Sequence, residues 1–378
     1  MKKAIYALSA DPITHGHRDV VERALEVFDT LVVAIGINAA KKYTFNADER
    51  VALAKAALSG LKVEVVKFEG LLVDFAYEQG IRTIVRGVRN GTDFSFEQML
   101  HDINYGQSMG VDTVIIISDK SLSHVSSSAV KELVNHGAKE ILDYVGMPVK
   151  SALEQRLIGQ IRVGVTGEIG VGKSTLCNSF QRNSDYGDVE NIDLDDVGRR
   201  ILTLAEEPFC HDVRRVISKK MSIPIDERGM LDVKAVSRQI FERPLVRSWF
   251  GEVMREPILY FLRKTLRKKN CLALVGSALL VEESALGVVN NNVILIKASQ
   301  EERMRRLLKR GYTKEHALNR MAAQFSTKEK AQRIQHAIEV DGYGSLLELD
   351  NTDTDENALH DNVQRMETWI SSLNSHRN

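Results

Sequence analysis

The stretch Gly167-Glu168-Ile169-Gly170-Val171-Gly172-Lys173-Ser174 decides the fold of the second half of the chain. It follows an apolar run at residues 161–165, which is typical of a buried β-strand, and it precedes a helical pattern at residues 173–180. A strand, a glycine-rich loop of this spacing and a helix together indicate a P-loop, whose backbone N–H groups surround phosphate. A simple glycine-rich turn is the alternative, but it would not need the strand and helix on either side. The sequence therefore predicts an α/β domain that binds a nucleotide.

A second phosphate-binding pattern lies near the start of the chain. Asp11-Pro12-Ile13-Thr14-His15-Gly16-His17 follows the apolar run 5–8 and precedes a helical pattern at residues 18–28. Gly16 permits a close backbone approach, and His17 would touch a phosphate held at the helix N-terminus. Taken alone, these residues equally fit an ordinary helix start with Thr14 as the N-cap. Two different phosphate loops in series predict two reactions in one polypeptide.

The length of the chain and the order of its elements predict two domains. A chain of 378 residues is longer than one ordinary hydrophobic core supports. In both halves strand-like runs alternate with helical patterns, which predicts an α/β fold with two doubly wound parallel sheets. We place the domains at residues 1–157 and 158–378, and we expect the segment 193–270 to be almost wholly helical. The strand-like runs are 5–8, 31–35, 63–68, 83–86, 113–117, 161–165, 189–192, 271–275 and 293–296.

Composition restricts the classes of partner. Charged residues make up 27% of the chain, but the net charge is zero, so nothing global attracts it to nucleic acid or to an acidic membrane. Cys177, Cys210 and Cys271 suggest neither a metal site nor a disulfide framework, which fits a reducing compartment. The apolar start at residues 4–10 superficially resembles a signal peptide, but Asp11-Pro12 follows at once, so a first β-strand is preferred. We therefore predict a cytoplasmic protein that binds neither nucleic acid nor membrane.

Five blocks in the first half of the chain resemble bacterial phosphopantetheine adenylyltransferase, in the right order and at the right spacing. The first is the segment 11–17 quoted above. The others are Asn38-x-x-Lys41-Lys42-x-x-Phe45-x-x-x-Glu49-Arg50, Gly70-Leu71-Leu72-Val73-Asp74-Phe75-Ala76, Val85-Arg86-Gly87-Val88-Arg89-Asn90-Gly91-Thr92-Asp93-Phe94-x-Phe96-Glu97 and Val125-Ser126-Ser127-Ser128-x-Val130-Lys131-Glu132.

This resemblance implies transfer of AMP from ATP to 4′-phosphopantetheine, which gives dephospho-CoA and pyrophosphate. The substrate phosphate attacks directly, so the enzyme positions the reactants and stabilises charge. On the family pattern His17 binds the α-phosphate, and Lys41 and Arg89 neutralise the reacting phosphates. The further ATP-binding candidates are Ser9, Asp11, Thr14, Gly16, Arg86, Gly87, Glu97, Ser126, Ser127 and Ser128. The substrate-binding candidates are Ser9, Lys41, Leu72 and Arg86.

Several features of the first half stay open at this point. The alternative for Arg86 and Arg89 is that they are ordinary surface charges. The alternative for Lys41 and Lys42 is that they belong to a solvated loop. Leu8 and Ala10 stand where the family usually has glycine and phenylalanine, which alters the backbone approach to the triphosphate and removes an aromatic wall. The family is usually hexameric, so the resemblance also implies a homo-oligomer formed through the first domain.

The second half resembles dephospho-CoA kinase, although less closely. The resemblance begins at the P-loop and continues in Asn191-Ile192-Asp193-Leu194-Asp195-Asp196-Val197-Gly198-Arg199, which matches the D-x-D-x-x-x-R segment of that family. It extends through Gly229-Met230-Leu231-Asp232, Leu279-Leu280-x-Glu282, Arg306-Leu307-x-x-Arg310, Arg320-x-x-x-Gln324, Lys330 and Asp350-Asn351.

The implied reaction is phosphoryl transfer from ATP to the ribose 3′-hydroxyl of dephospho-CoA. Such a transfer needs a carboxylate for the hydroxyl proton and cations for the charge on the transferred group. Asp193 is the candidate base, and Lys173 is catalytic at the phosphates. Ser174 is the candidate Mg²⁺ ligand, with Asp193 as a second one. On the family pattern Asp195 and Arg199 face the acceptor, and Arg310 belongs to a lid that closes over the ATP site. The ATP-binding candidates are Gly167, Gly170, Gly172, Lys173, Ser174, Thr175 and Arg310.

Alternatives in the second half concern both roles and activity. An aspartate pair after a strand also serves helix capping, and the basic run from Arg303 to Arg310 is expected to be mostly solvated. Val233 and Glu256 replace the arginine and histidine that the family usually has in its acceptor-binding region. One alternative is therefore an active adenylyltransferase with a weakened or non-catalytic kinase domain. Another is a pyridine-nucleotide protein that pairs NMN adenylyltransferase with a ribosylnicotinamide kinase.

Overall fold

The computed structural model of the chain describes residues 2–137, 141–267, 269–353 and 355–375. The chain divides into two compact units, Met1–Ile158 (unit 1) and Gly159–Asn378 (unit 2). Each unit contains one five-stranded sheet in which all neighbouring strands are parallel. The expected fold class, α/β with two doubly wound parallel sheets, is confirmed.

Unit 1 alternates strands and helices from its start. Its sheet has the order β3-β2-β1-β4-β5, so the connections reverse direction at β1, and the first phosphate loop follows that strand. The strands are β1 (Lys3–Leu8), β2 (Thr30–Ile37), β3 (Val63–Glu69), β4 (Thr83–Val88) and β5 (Asp112–Ile117). The helices are α1 (His15–Leu25), α2 (Ala47–Ala57), α3 (Leu72–Glu78), α4 (Gly91–Gly106), α5 (Ser127–Asn135) and α6 (Met147–Ile158).

Both faces of the first sheet are covered by apolar packing. Successive residues of a strand point to opposite faces. Ala4 and Tyr6 of β1 accordingly belong to one buried cluster, and Ile5 and Ala7 belong to another. Because a central parallel strand is buried on both faces, it reads as a continuous apolar run, which is why its pattern is recognisable in the sequence.

Unit 2 repeats the strand–helix plan with a long helical insertion. Its sheet has the order β10-β9-β6-β8-β7, and the P-loop follows the central strand β6. The strands are β6 (Ile161–Thr166), β7 (Val189–Asp193), β8 (Leu272–Gly276), β9 (Asn292–Lys297) and β10 (Ser345–Asp350). The helices are α7 (Lys173–Asn183), α8 (Leu194–Thr203), α9 (Pro208–Met221), α10 (Val233–Glu242), α11 (Pro244–Leu266), α12 (Gln300–Lys309), α13 (Lys314–Ala322), α14 (Thr327–Asp341) and α15 (Glu356–Ser375).

The insertion between β7 and β8 is helical, as expected from the sequence. It consists of α8–α11, which form their own buried apolar cluster around Ile201, Ile217 and Phe261. The edge strand β10 was not expected from the sequence pattern. Among the described residues no helix is both long and apolar enough to cross a membrane.

Candidate active sites

His17 lies in the first turn of α1, at the carboxyl end of β1. The backbone N–H of Thr14 donates to its Nδ1 over 3.0 Å, so the neutral ring carries its proton on Nε2. Burial and the nearby positive charge of Arg89 lower the pKa of His17 from its ordinary 6.5 to about 4. At neutral pH His17 is therefore an uncharged hydrogen-bond donor through Nε2.

Arg89 is held in place at the end of β4. Its Nε donates to Asp93 Oδ2 over 2.8 Å, and its Nη1 donates to the carbonyl of Val125 over 3.2 Å. The second contact links β4 to the loop before α5. This arrangement fixes a cation close enough to His17 to influence its pKa.

Arg86 lies three residues earlier, within β4, and is paired with Glu97 of α4. Their side chains are 18% and 16% exposed, and the closest nitrogen and oxygen atoms are 3.1 Å apart. Arg86 also donates to the carbonyl of Ala7 at the end of β1, over 3.1 Å. Burial raises the pKa of Glu97 against the opposing effect of Arg86. Arg86 is thus a largely buried, paired residue and is not a solvated surface charge.

Asp11 anchors the loop that carries Lys41. Its carboxylate accepts hydrogen bonds from the N–H groups of Thr44 and Phe45 over 3.0 to 3.1 Å and from Lys131 Nζ over 3.0 Å. Burial by itself would raise the pKa of Asp11, but these hydrogen bonds outweigh it and hold the pKa below its usual range. The observed role of Asp11 is structural, and a direct contact with ATP stays a prediction.

The structure shows local contacts for some of the other candidates of unit 1. Ser127 donates to the carbonyl of Pro12 over 2.7 Å and Ser126 caps α5, so the start of α5 meets the first loop, where Thr14 is buried. Gly87 has a packing reason, because a Cβ there would lie 2.6 Å from Val20 Cγ2. The ligand roles of all these candidates stay predictions, and for the remaining ones the structure gives only a position. They comprise Ser9 after β1, Gly16 in α1, exposed Lys41, buried Leu72 and exposed Ser128.

The two departures at the end of β1 have different structural consequences. Leu8 is partly buried and packs against the core of unit 1. Ala10 is 2% exposed and has φ +47°, a left-handed conformation that non-glycine residues adopt only at a cost. This backbone conformation lies directly before Asp11, in the phosphate loop.

The P-loop of unit 2 adopts a shape that only glycine permits at several positions. Gly167, Gly170 and Gly172 have φ values of +148°, +87° and +91°. A Cβ at Gly167 would lie 2.2 Å from the carbonyl oxygen of Ile296, and one at Gly172 would lie 2.5 Å from Asn351 Nδ2. The spacing of the glycines in the motif is therefore a steric requirement of this loop.

Lys173 and Ser174 begin α7 at the end of the P-loop. Lys173 Nζ donates to the carbonyl of Gly167 over 3.0 Å, and burial lowers the pKa of this ammonium group. Ser174 Oγ donates to Asp193 Oδ2 over 3.2 Å, so the carboxylate at the end of β7 meets the P-loop. Thr175 is exposed on the same first turn of α7.

Asp193 caps α8 and also faces the P-loop serine, while its role as a catalytic base stays a prediction. Its Oδ1 accepts the N–H of Asp195 over 2.9 Å and caps α8, while its Oδ2 faces Ser174. Desolvation of the carboxylate and the charge of Asp193 raise the pKa of Asp195. Beside this pair lies a cleft of about 420 Å³ whose lining includes Lys173, Asp193 and Arg200. An acceptor hydroxyl could enter next to Asp193.

The lid and acceptor candidates lie on the surface of unit 2. Arg310 is exposed at the C-terminus of α12, next to Gly311. Arg199 is exposed and pairs with Asp196 over 2.7 Å. Val233 begins α10 and packs against the apolar cluster of the insertion, whereas Glu256 is exposed in α11. The roles of Arg199 and Arg310 stay predictions.

The expectation of a mostly solvated basic run is wrong for two of its members. Arg303 is 7% exposed and donates through Nε to the carbonyl of Ile169 over 3.1 Å. Arg306 donates to the carbonyls of Gly170 and Asn351 over 3.2 and 2.7 Å. Both arginines lie one turn apart on the face of α12 that meets the P-loop. Because residues three apart lie on the same face of a helix, the spacing of Arg303 and Arg306 was the sequence signal for this shared contact.

Two phosphate loops at the carboxyl ends of parallel strands, with a carboxylate beside the P-loop serine, define a nucleotide-dependent transferase. The chain belongs, through its first half, to the phosphopantetheine adenylyltransferase family. The relative from Christiangramia forsetii is 41% identical over 138 residues, which are 36% of this chain and 91% of the relative. The relative from Porphyromonas gingivalis is 43% identical over 148 residues, which are 38% and 95% of the two chains.

Family models cover both units. A cytidylyltransferase-like model matches residues 6–133, and the dephospho-CoA kinase model matches residues 161–344. The solved dephospho-CoA kinase from Campylobacter jejuni is 17% identical with a TM-score of 0.37, and the match covers 56% of this chain and 98% of that one. A structural likeness at this level does not bear on activity. The family models and the adenylyltransferase relatives show that the chain combines an adenylyltransferase and a kinase domain, as the sequence motifs indicate.

Proposed function

We propose that this chain catalyses the last two steps of coenzyme A synthesis in series. Unit 1 transfers AMP from ATP to 4′-phosphopantetheine, and unit 2 phosphorylates the ribose 3′-hydroxyl of the dephospho-CoA so formed. The observation that carries the proposal is the complete P-loop with Asp193 against Ser174, in the same chain as an adenylyltransferase domain. The product of one reaction is the substrate of the other.

In the first reaction the substrate phosphate attacks the α-phosphorus of ATP and pyrophosphate leaves. Unit 1 supplies donors and cations for the charge that develops. His17 donates a hydrogen bond from Nε2 to an α-phosphate oxygen, and its Nδ1 accepts a hydrogen bond from the N–H of Thr14. Arg89, fixed by Asp93, and Lys41, on its exposed loop, neutralise the phosphates.

In the second reaction Asp193 accepts the proton of the 3′-hydroxyl while the terminal phosphoryl group of ATP is transferred. Lys173, inside the P-loop, contacts the ATP phosphates. Asp195 and Arg199 orient the acceptor, and Arg310 approaches the transferred group when the lid closes. The hydrogen bond between Ser174 and Asp193 supports this role, because it holds a carboxylate beside the P-loop.

The oxygen atoms at this site suit magnesium. Ser174 Oγ and Asp193 Oδ2 lie 3.2 Å apart, and Mg²⁺ in nucleotide sites uses one or two protein oxygens together with phosphate and water. These two residues would hold the ion, which would neutralise charge on the phosphates of ATP. Within the described parts of the chain, no cluster of three or more His, Cys, Asp or Glu side chains forms a metal site.

The surface of unit 1 supports self-association. Helix α4 has no buried residue and exposes Phe96, Ile103 and Tyr105 by 55%, 52% and 70%. Neighbouring Phe94 and Met99 are also about half exposed. Apolar area of this extent on one helix marks an interaction site. We propose a homo-oligomer formed through α4, a hexamer on the family resemblance.

Sedimentation velocity tests this interface. Phe96→Glu should convert the assembly into smaller species, whereas Val27→Glu, at a residue of unit 1 that is 56% exposed, should not. A monomeric unmutated protein would contradict the proposal.

A cytoplasmic location without nucleic-acid or membrane binding is also proposed, and it is supported by the zero net charge and the free, buried Cys177, Cys210 and Cys271.

Mass spectrometry of the products tests the two activities. Purified protein with 4′-phosphopantetheine, ATP and Mg²⁺ should form coenzyme A. His17→Ala should stop the formation of dephospho-CoA but still phosphorylate added dephospho-CoA. Lys173→Ala should let dephospho-CoA accumulate. Accumulation of dephospho-CoA by the unmutated protein would refute the kinase assignment and leave the first activity alone.

A further inference from the structure

Glu168 places a negative charge inside the P-loop. It follows Gly167 directly, and its own carbonyl oxygen accepts a hydrogen bond from Lys173 Nζ over 3.4 Å. Its side chain is only 13% exposed. The backbone of a P-loop surrounds the phosphates of a nucleotide. A carboxylate here therefore repels those phosphates unless another group neutralises its charge. This residue has no role in the mechanism described above.

Arg303 of α12 neutralises this carboxylate. Its Nη1 forms an ion pair with Glu168 Oε2, and its Nε donates to the carbonyl of Ile169 over 3.1 Å. The arginine side chain is 9% exposed, so solvent screens the pair weakly. One guanidinium group therefore contacts both the charge and the backbone of the P-loop.

The second carboxylate oxygen of Glu168 reaches a different element. Its Oε1 accepts the N–H of Thr327 over 2.9 Å and the hydroxyl of Thr327 over 3.2 Å. Thr327 begins α14, and the preceding Gln324 accepts the N–H of Ile169 over 2.7 Å. Glu168 thus connects the P-loop to the segment that follows α13.

The other cation near Glu168 is committed elsewhere. Lys330 lies within electrostatic range of Glu168. Its ammonium group donates to both carboxylate oxygens of Glu282 over 2.6 Å and to the carbonyl of Ala278 over 2.8 Å. Among the described residues, the direct ion pair that balances Glu168 is the one with Arg303.

We propose that Arg303 is a positioning residue of the ATP site, which neutralises Glu168 and holds residues 168 and 169 in the shape that accepts the phosphates. This inference rests on the proposed function of unit 2 as an ATP-dependent kinase. Loss of Arg303 leaves a buried, uncompensated carboxylate beside the ATP phosphates. Loss of both side-chain charges removes that repulsion, so the second substitution should rescue the first.

Kinase kinetics with dephospho-CoA supplied directly provide the test. Arg303→Met should raise the KM for ATP about tenfold or more, with less than about a twofold change in the KM for dephospho-CoA. Glu168→Gln should change the KM for ATP less than about threefold. The double variant should have a KM for ATP at least about fivefold below that of Arg303→Met. Arg305→Met is the matched control, because this exposed arginine of the same helix pairs with Glu302 and should leave the KM unchanged.

A binding measurement separates this inference from the kinase activity itself. Photolabelling with 8-azido-ATP, with labelled peptides of residues 159–378 quantified by mass spectrometry, reports occupancy of unit 2 alone. Half-saturation should follow the same order of variants even if phosphoryl transfer fails. Equal half-saturation in all variants, or no rescue in the double variant, would overturn the inference. Melting temperatures that recover in the double variant while the KM for ATP never changes would show that the pair is merely structural.

Discussion

His17 should stay neutral far below the pH at which a histidine in water takes up a proton. Burial and Arg89 lower its pKa to about 4 from the ordinary 6.5, and Thr14 N–H donates to the nitrogen that would accept the proton. At pH 5.5 a group with a pKa of 4 is about 3% protonated, whereas one with a pKa of 6.5 is about 90% protonated. The Nε2 donor should thus keep one charge state across the physiological range.

The same shift predicts how stability depends on pH. The folded pKa lies below the unfolded one, so below pH 6.5 the unfolded chain binds a proton that the folded chain does not. The difference, 6.5 − 4 = 2.5 pH units, corresponds to at most about 3 kcal/mol at 1.36 kcal/mol per unit. This stabilisation is fully present above pH 6.5 and is lost progressively as the pH falls through 6.5 towards 4.

Histidine C2–H deuterium exchange, followed by mass spectrometry between pH 4 and 8, measures this pKa residue by residue. Fragmentation separates His17 from His15 in the same peptide. The folded protein should show no midpoint for His17 above pH 5, and the urea-unfolded protein should show one near 6.5. His17→Gln provides the control for the assignment. A midpoint near 6.5 in the folded protein would refute the electrostatic reasoning.

Three further predictions concern both units. Asp193→Asn should lower kcat for phosphoryl transfer by about 10² to 10⁴ in assays with added dephospho-CoA. Gly172→Ala should raise the KM for ATP in the same assay, because its Cβ would lie 2.5 Å from Asn351 Nδ2 at φ +91°. Asp11→Asn places an N–H group opposite Lys131 and should lower stability in urea by about 2 to 3 kcal/mol. The stabilisation by Asp11 should also fade at acidic pH, as its lowered pKa is passed.

Much of the fold could be predicted because the core strands are buried on both faces. Nine strand-like runs match β1–β9 to within two residues at their ends. The strand β10 was missed because Glu348 interrupts its apolar run, and most of its residues are only partly buried or exposed. Its sequence, Ser345–Asp350, therefore lacks the continuous apolar run that identifies a central parallel strand.

The candidate sites could be predicted where a motif and a short loop bring the residues together. The P-loop sequence locates Lys173 and Ser174, and the end of β7 locates Asp193. The pairing of Glu168 with Arg303 joins residues that are far apart in the sequence, so no local pattern indicates it. The Asp11 contacts with Thr44, Phe45 and Lys131 were missed for the same reason.

The central claim is that one chain performs two consecutive transfers. Incubation with 4′-phosphopantetheine and ATP whose terminal phosphoryl group carries ¹⁸O, followed by mass spectrometry of the products, tests this claim most directly. We expect unlabelled dephospho-CoA as the intermediate and coenzyme A that carries the heavy phosphoryl group on its ribose. Unlabelled dephospho-CoA as the final product, with no heavy coenzyme A at any time, would contradict the claim.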